Sequence, residues 1–179
     1  MTQVSLDPSD LQPRPPDREL FDRLLRDFVP DHPFDFHAHL YRGGDLPESF
    51  AGASAPCKVG LSCYRRQMTA WMGDRAPSDG MFFGLPERGV DIASANEFCL
   101  AETAEASQSR ALLMIGPEDD PAAVESLVAA NSPLVAGFKV YHVFADRTDT
   151  IIVRQRLSGQ QFDRPVLELG GWLRLVLQP

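Results

Sequence analysis

Leu20, Phe21, Leu24, Leu25 and Phe28 fall at helical spacing and form the first apolar stripe of the chain. Asp17 stands where it can cap a helix starting at Arg18, and Pro30 and Pro33 end it. Pro33-Phe-Asp-Phe-His then reads as a strand closing near His39, and residues 40–60, rich in Gly, Pro and Ser, read as a loop. A helix is expected from Ser62 to Met72, with Met68, Trp71 and Met72 on its apolar side. Met81-Phe-Phe-Gly-Leu, closed by Pro86, is a second buried strand, and residues 91–107 carry a helical pattern. Ala111-Leu-Leu-Met-Ile is a third strand, ended by Gly116-Pro117. Asp120 caps a helix through Ala130, with Pro121 in its first turn. Val135-Ala-Gly-Phe-Lys-Val-Tyr is a fourth strand. Continuous apolar strands alternating with amphipathic helices predict an α/β fold with a helix-covered parallel sheet.

Composition adds limits to this picture. The 179 residues suffice for about one domain, at 44% hydrophobic and 23% charged, as in an ordinary globular protein. Residues 1–16 hold four prolines and few apolar groups and read as a flexible arm. They lack the apolar core of a signal peptide, and no run reaches membrane-spanning length, so a cytoplasmic protein without membrane contact is expected. The net charge of -8 argues against nucleic acid as a partner. Cys57, Cys63 and Cys99 are odd in number and lack CxxC spacing, which argues against a disulfide framework or a cysteine-rich zinc site. From Ile151 onward four arginines face two acids and the helix-strand rhythm fades, so residues 150–179 read as an atypical tail, with a frameshift or premature end as its expected origin.

The residues richest in chemistry are Asp35-Phe-His37-Ala-His39. Side chains at i and i+2 of a strand share a face, so His37 and His39 are expected to project together, with Phe36 and Ala38 opposite. Two neutral imidazoles on one face supply half of a tetrahedral set for zinc or a similar ion. Asp35 has the same parity and is a candidate to sit behind them. Lys139 lies about a hundred residues later on the fourth strand, sharing a face with Gly137 and Tyr141. A lysine at a buried position is tolerated if its pKa falls, if it pairs with an acid, or if it is carboxylated to a metal-binding carbamate. His142 has the opposite parity and is expected to face away, and His32 reads as a loop residue. Arg42, in the loop after the first strand, reads either as a holder of a substrate carboxylate or as a solvated loop charge, the blander choice being the default. Arg65 and Arg66 read as the solvated face of their helix. The cysteines have no base near them in sequence and are poor candidates for nucleophiles.

Phe34-Asp-Phe-His-Ala-His-Leu and Gly137-Phe-Lys-Val-Tyr, in this order and spacing, resemble the amidohydrolase superfamily and especially its amidohydrolase-related branch, over roughly residues 30–148. The resemblance implies a (β/α) TIM-type barrel, with residues 17–149 as its N-terminal part of about four strand-helix units. It implies a metal-dependent hydrolase in which one or two divalent ions, zinc above all, activate water for attack on a C–N or C–O bond of a small molecule. Carried over by position, His37 and His39 are metal ligands, and Lys139 is both a catalytic residue and, as a carbamate, a metal ligand. The sequence departs from the family pattern after Lys139. The family draws histidines from its fifth and sixth strands and an aspartate from its eighth, whereas only His142 follows here, and a full barrel takes about 250 residues. The alternatives are a decarboxylase or isomerase of the same superfamily, or a non-catalytic truncated half-barrel whose open sheet edge drives self-association. A PHP-type phosphoesterase also opens on a histidine pair but needs more histidines and acids than are present.

Overall fold

The structure, a computed structural model, describes residues 13–50 and 57–144. The expected alternation is present. Helix α1 spans Pro15–Leu24, strand β1 Phe34–His39, α2 Leu61–Met72, β4 Asp79–Phe83, α3 Ile92–Ala104, β5 Arg110–Ile115, α4 Pro121–Ala130 and β6 Val135–Val140. Two short strands, β2 (Tyr41–Arg42) and β3 (Lys58–Val59), pair antiparallel within the stretch expected to be only loop. The atypical tail from 150 and most of the N-terminal arm lie outside the described residues.

The four longer strands form one parallel sheet in the order β1-β4-β5-β6. Sequential parallel strands joined by right-handed crossovers place all their helices on one face. That face carries the core: Tyr64 of α2, Phe98 and Cys99 of α3, and Leu127 and Val128 of α4 pack with Ala38, Phe82, Leu113, Ile115 and Phe138 of the strands. Residues of opposite parity, among them Phe83, Met114 and Lys139, therefore belong to the second face. Among the described residues no helix is long and apolar enough to cross a membrane.

The helix starts follow their caps. Asp120 accepts a hydrogen bond from the Ala122 N–H at the start of α4, and Asp91 accepts one from Ser94 at the start of α3. Helix α1 begins earlier than expected, at Pro15, because Pro15 and Pro16 fit the first turn, where no N–H is needed. Asp17 is therefore not the N-cap; it sits inside the first turn and accepts from the backbone N–H of Arg14. The broad apolar stripe expected on this helix is mostly unburied: Phe21 is enclosed, whereas Leu20, Leu24, Leu25 and Phe28 are exposed. Trp71, expected in the core, is exposed as well. The α1–α2 contact is pinned by polar links, Arg18 to the Ala70 carbonyl and Arg26 to Asp74.

One buried polar side chain completes the sheet. The β4–β5 ladder covers only the start of β5, pairing Met81 with Arg110 and Phe82 with Ala111. Farther along, Asn96 of α3 stands in for a neighbouring strand. Its amide donates to the Met114 carbonyl (2.8 Å) and accepts from the Met114 N–H (2.9 Å). Asn96→Ala leaves both backbone groups buried without partners, at a cost of about 2–5 kcal/mol. Urea denaturation of the variant checks this, and a loss below about 1 kcal/mol would show that Met114 is satisfied some other way.

Candidate functional site

The histidine pair sits on a bulge. Asp35 pairs with Gly80 and Ala38 with Phe82, so three residue steps on β1 match two on β4. The extra residue breaks the simple alternation expected from the sequence. Phe36 and His37 are both exposed, Ala38 is buried, and Asp35 turns to the helix side. There its Oδ2 accepts the Tyr64 hydroxyl at 2.9 Å, while its Oδ1 accepts the backbone N–H of His37, also at 2.9 Å. Asp35 is thus not a partner of the imidazole rings. It holds the displaced backbone of the bulge and ties it to α2. A Cβ on Gly80 would lie 2.7 Å from the Asp35 carbonyl oxygen, so glycine at this position is what lets the two strands approach there.

Both imidazoles reach the same place. Their ring centroids are 5.4 Å apart, and each meets the ring of Phe83 edge-on, His37 at 4.8 Å and His39 at 4.5 Å. Phe83 is fully buried at the end of β4. The Lys139 ammonium lies over the same ring, 4.4 Å from its centroid, and the Tyr141 ring stands 6.4 Å away. The three residues singled out in the sequence, His37, His39 and Lys139, therefore converge on one aromatic floor from two non-adjacent strands. Phe83 itself was legible only as a buried strand residue.

Hydrogen bonding fixes the form of His39. Its Nδ1 lies 2.9 Å from the Gly84 carbonyl oxygen. A carbonyl only accepts, so Nδ1 carries the proton and Nε2 presents a free lone pair, the arrangement a metal-ligating histidine uses. A Cβ at Gly84 would crowd Met114 Cε at 2.5 Å and Ala95 Cβ at 3.2 Å, so the Met114 side chain would have to move to admit one.

The electrostatics favour neutral groups. Burial holds the His39 pKa below its usual value, against the opposing pull of the Gly84 carbonyl, and the cationic forms of His37 and Lys139 add to the lowering. Burial also lowers the pKa of Lys139. No carboxylate of the described residues contributes to either shift. Among the described residues no group of three His, Cys, Asp or Glu side chains gathers as a metal site; the histidine pair would offer a cation two nitrogen donors, and Lys139 would be a third donor only after losing its proton or being carboxylated.

Other expected roles resolve differently. Arg42 is not a free loop charge: its Nε donates to both oxygens of Asp45, which is 6% exposed, and its Nη2 donates to Ser94 Oγ at 2.8 Å. This ties the segment after β1 to the start of α3. Lys58 pairs with Glu102 at 2.7 Å. Cys57, Cys63 and Cys99 are buried free thiols, and burial pushes the thiols of Cys57 and Cys99 up, Cys99 to about 12, which suppresses thiolate chemistry. His32 is exposed outside the strands, as expected of a loop residue, and the ring of His142 lies outside what is described.

Comparison with models of protein families, with curated proteins and with solved structures finds no match to this chain.

The depressed pKa of His39 has a signed consequence. The unfolded chain takes up this proton near 6.5, whereas the folded chain takes it up only at lower pH. Between those values the unfolded state binds more protons, so stability falls as pH drops through 6.5 and levels off below the folded pKa. Histidine ring NMR titration should give His39 a midpoint below 6.5, and His39→Gln should flatten this part of the stability profile. A midpoint at or above 6.5 would contradict the buried neutral ring.

Proposed function

We propose that the chain is a metal-dependent hydrolase of the amidohydrolase type, with His37 and His39 as ligands of a divalent ion, zinc being the best match. The observation that carries this reading is the convergence of both imidazoles on Phe83, with His39 oriented by the Gly84 carbonyl so that Nε2 is free. The donor set fits such an ion in part: two neutral nitrogens are in place, and Lys139 stands beside them. When bound, the ion supplies Lewis-acid activation of water toward a C–N or C–O bond of a small-molecule substrate. The protein's share is to hold the two imidazoles in one tautomer and to shield one side of the site with Phe83. The bulge at Asp35 keeps His37 beside His39.

Lys139 decides the charge of the site. As an ammonium it opposes a cation next to it. The lowering of its pKa by burial favours the neutral amine, which is the form that captures carbon dioxide as a carbamate. In this reading Lys139 is a metal ligand and catalytic residue in its carboxylated form, and a second ion becomes possible through it. The parallel sheet with helices on one face is the architecture that the first units of a (β/α) barrel would have, and the sites of such barrels lie at the C-terminal ends of the strands, where His39, Phe83 and Lys139 are found.

Zinc titration of the full chain by calorimetry, with metal content by mass spectrometry, tests this reading. Stoichiometric binding is expected, weakened about 100-fold or more by His37→Ala or His39→Ala and strengthened by added bicarbonate. Intact-mass analysis should then show one added carbon dioxide that Lys139→Met removes. Wild-type zinc binding no tighter than that of the two alanine variants would overturn the reading. Tight binding without hydrolysis across amide, lactone and ester substrates would favour a non-catalytic metal-binding half-barrel, or the decarboxylase and isomerase chemistries that share these ligands.

A further inference from the structure

Tyr141 follows Lys139 by two positions, just past the end of β6, so the two residues share the face that carries Phe83. Its ring lies 6.4 Å from Phe83 and 5.9 Å, edge-on, from Phe144. Its hydroxyl oxygen is closed off from solvent and has no hydrogen-bond partner among the described residues. By contrast, the hydroxyl of Tyr64, on helix α2 at the other face of the sheet, is engaged by Asp35. A shielded phenol without a partner is uncommon in folded proteins, and where it persists beside a cluster of chemically able side chains a missing ligand atom is a physical reason for it. At neutral pH a phenol O–H is a donor, so the missing group is an acceptor, and carbonyl and carboxylate oxygens are the common ones.

We infer that the Tyr141 hydroxyl is a ligand-binding group that donates a hydrogen bond to a carbonyl or carboxylate oxygen of a molecule bound on the strand face that Tyr141 shares with Lys139. This deepens the hydrolase reading by assigning the substrate an acceptor oxygen at the reacting end, but the hydrogen bond itself does not require a metal. Ligand discrimination follows from the same feature, because a molecule lacking the acceptor leaves the donor buried and unmet.

The test uses acetohydroxamate, which offers two acceptor oxygens, with the full chain both zinc-free and zinc-loaded. The chain has three tyrosines, Tyr41, Tyr64 and Tyr141, so a protein labelled at the tyrosine Cζ carbon gives three NMR signals, and Tyr141→Phe assigns one of them. The Tyr141 signal should move and saturate as the probe is added, and Tyr141→Phe should weaken probe affinity about tenfold. The same variant should keep full stability in urea and unchanged zinc affinity, since no existing hydrogen bond is lost. Movement in zinc-free protein supports the inference even if zinc itself fails to bind, in which case only the metal reading falls. Zinc binding with a Tyr141 signal that stays still in both forms overturns the inference and leaves the metal reading standing. A marked loss of stability in Tyr141→Phe also overturns it, because the hydroxyl would then have a structural partner.

Discussion

Between the Asp35–Gly80 and Ala38–Phe82 pairs, β1 carries one residue more than β4, and the geometry of the histidine pair depends on that excess. Without it, strict alternation would put Asp35 on the same face as both imidazoles. With it, the carboxylate turns toward α2 and the imidazoles are left with Phe83. A bulge leaves backbone groups out of the ladder, and it persists only where something else meets them. Asp35 does this for the His37 N–H and is itself held by Tyr64, while Gly80 provides the close approach on the partner strand. The position of His37 is therefore set by a residue on a helix, a residue on the next strand and its own neighbour two places back.

Diverting Asp35 also sets the charge of the face. With that carboxylate turned away and Arg42 committed to the buried Asp45, the groups around Phe83 are imidazoles, an amine and a phenol. Burial keeps His39 and Lys139 toward their neutral forms. None of these groups carries a negative charge. Lys139 is the pivot. As an ammonium it rests against the Phe83 ring, a favourable contact for a cation. As a carbamate it would exchange that contact for a place in a metal's coordination shell.

The order of the longer strands and helices was legible in the sequence because continuous apolar runs and proline punctuation mark them, and capping aspartates open α3 and α4. The type and rough placement of His37, His39 and Lys139 were legible for the same reason: polar residues of these kinds inside apolar strands are conspicuous. The bulge was not, because a one-residue slip arises from the pairing of β1 with β4, and the local pattern of β1 contains no trace of it. Gly80, next to Asp79 at the start of an apolar run, was the available signal, since glycine inside a strand marks a bulge or close approach. Phe83 was hidden for a different reason: an aromatic in a buried strand reads as core, and only the third dimension shows which polar groups rest on it. Asn96 was likewise invisible as a sheet-completing residue, because its partner backbone is eighteen positions away.

The links between the loops and the helix layer bear on how firmly such a site is held. Arg42, Asp45 and Ser94 join the segment after β1 to the N-terminal turn of α3, and the Asp91 N–H donates to the Asp45 carbonyl at 2.9 Å. Glu102, farther along the same helix, accepts from the first N–H of α2 and from Lys58. Helix α3 thus fastens the β1–α2 connection at both ends, and through Asn96 it also fastens β5. The bonds involving Asp45 and Asn96 are largely shielded from water, so they resist exchange better than surface pairs do. Side chains that meet on Phe83 from β1 and β6 need the intervening elements to keep a fixed spacing, and α3 contacts both the first connection and the middle of the sheet. Its polar side chains, which a reading of helical amphipathicity treats as solvent-facing, brace β5 and the connection that follows His39.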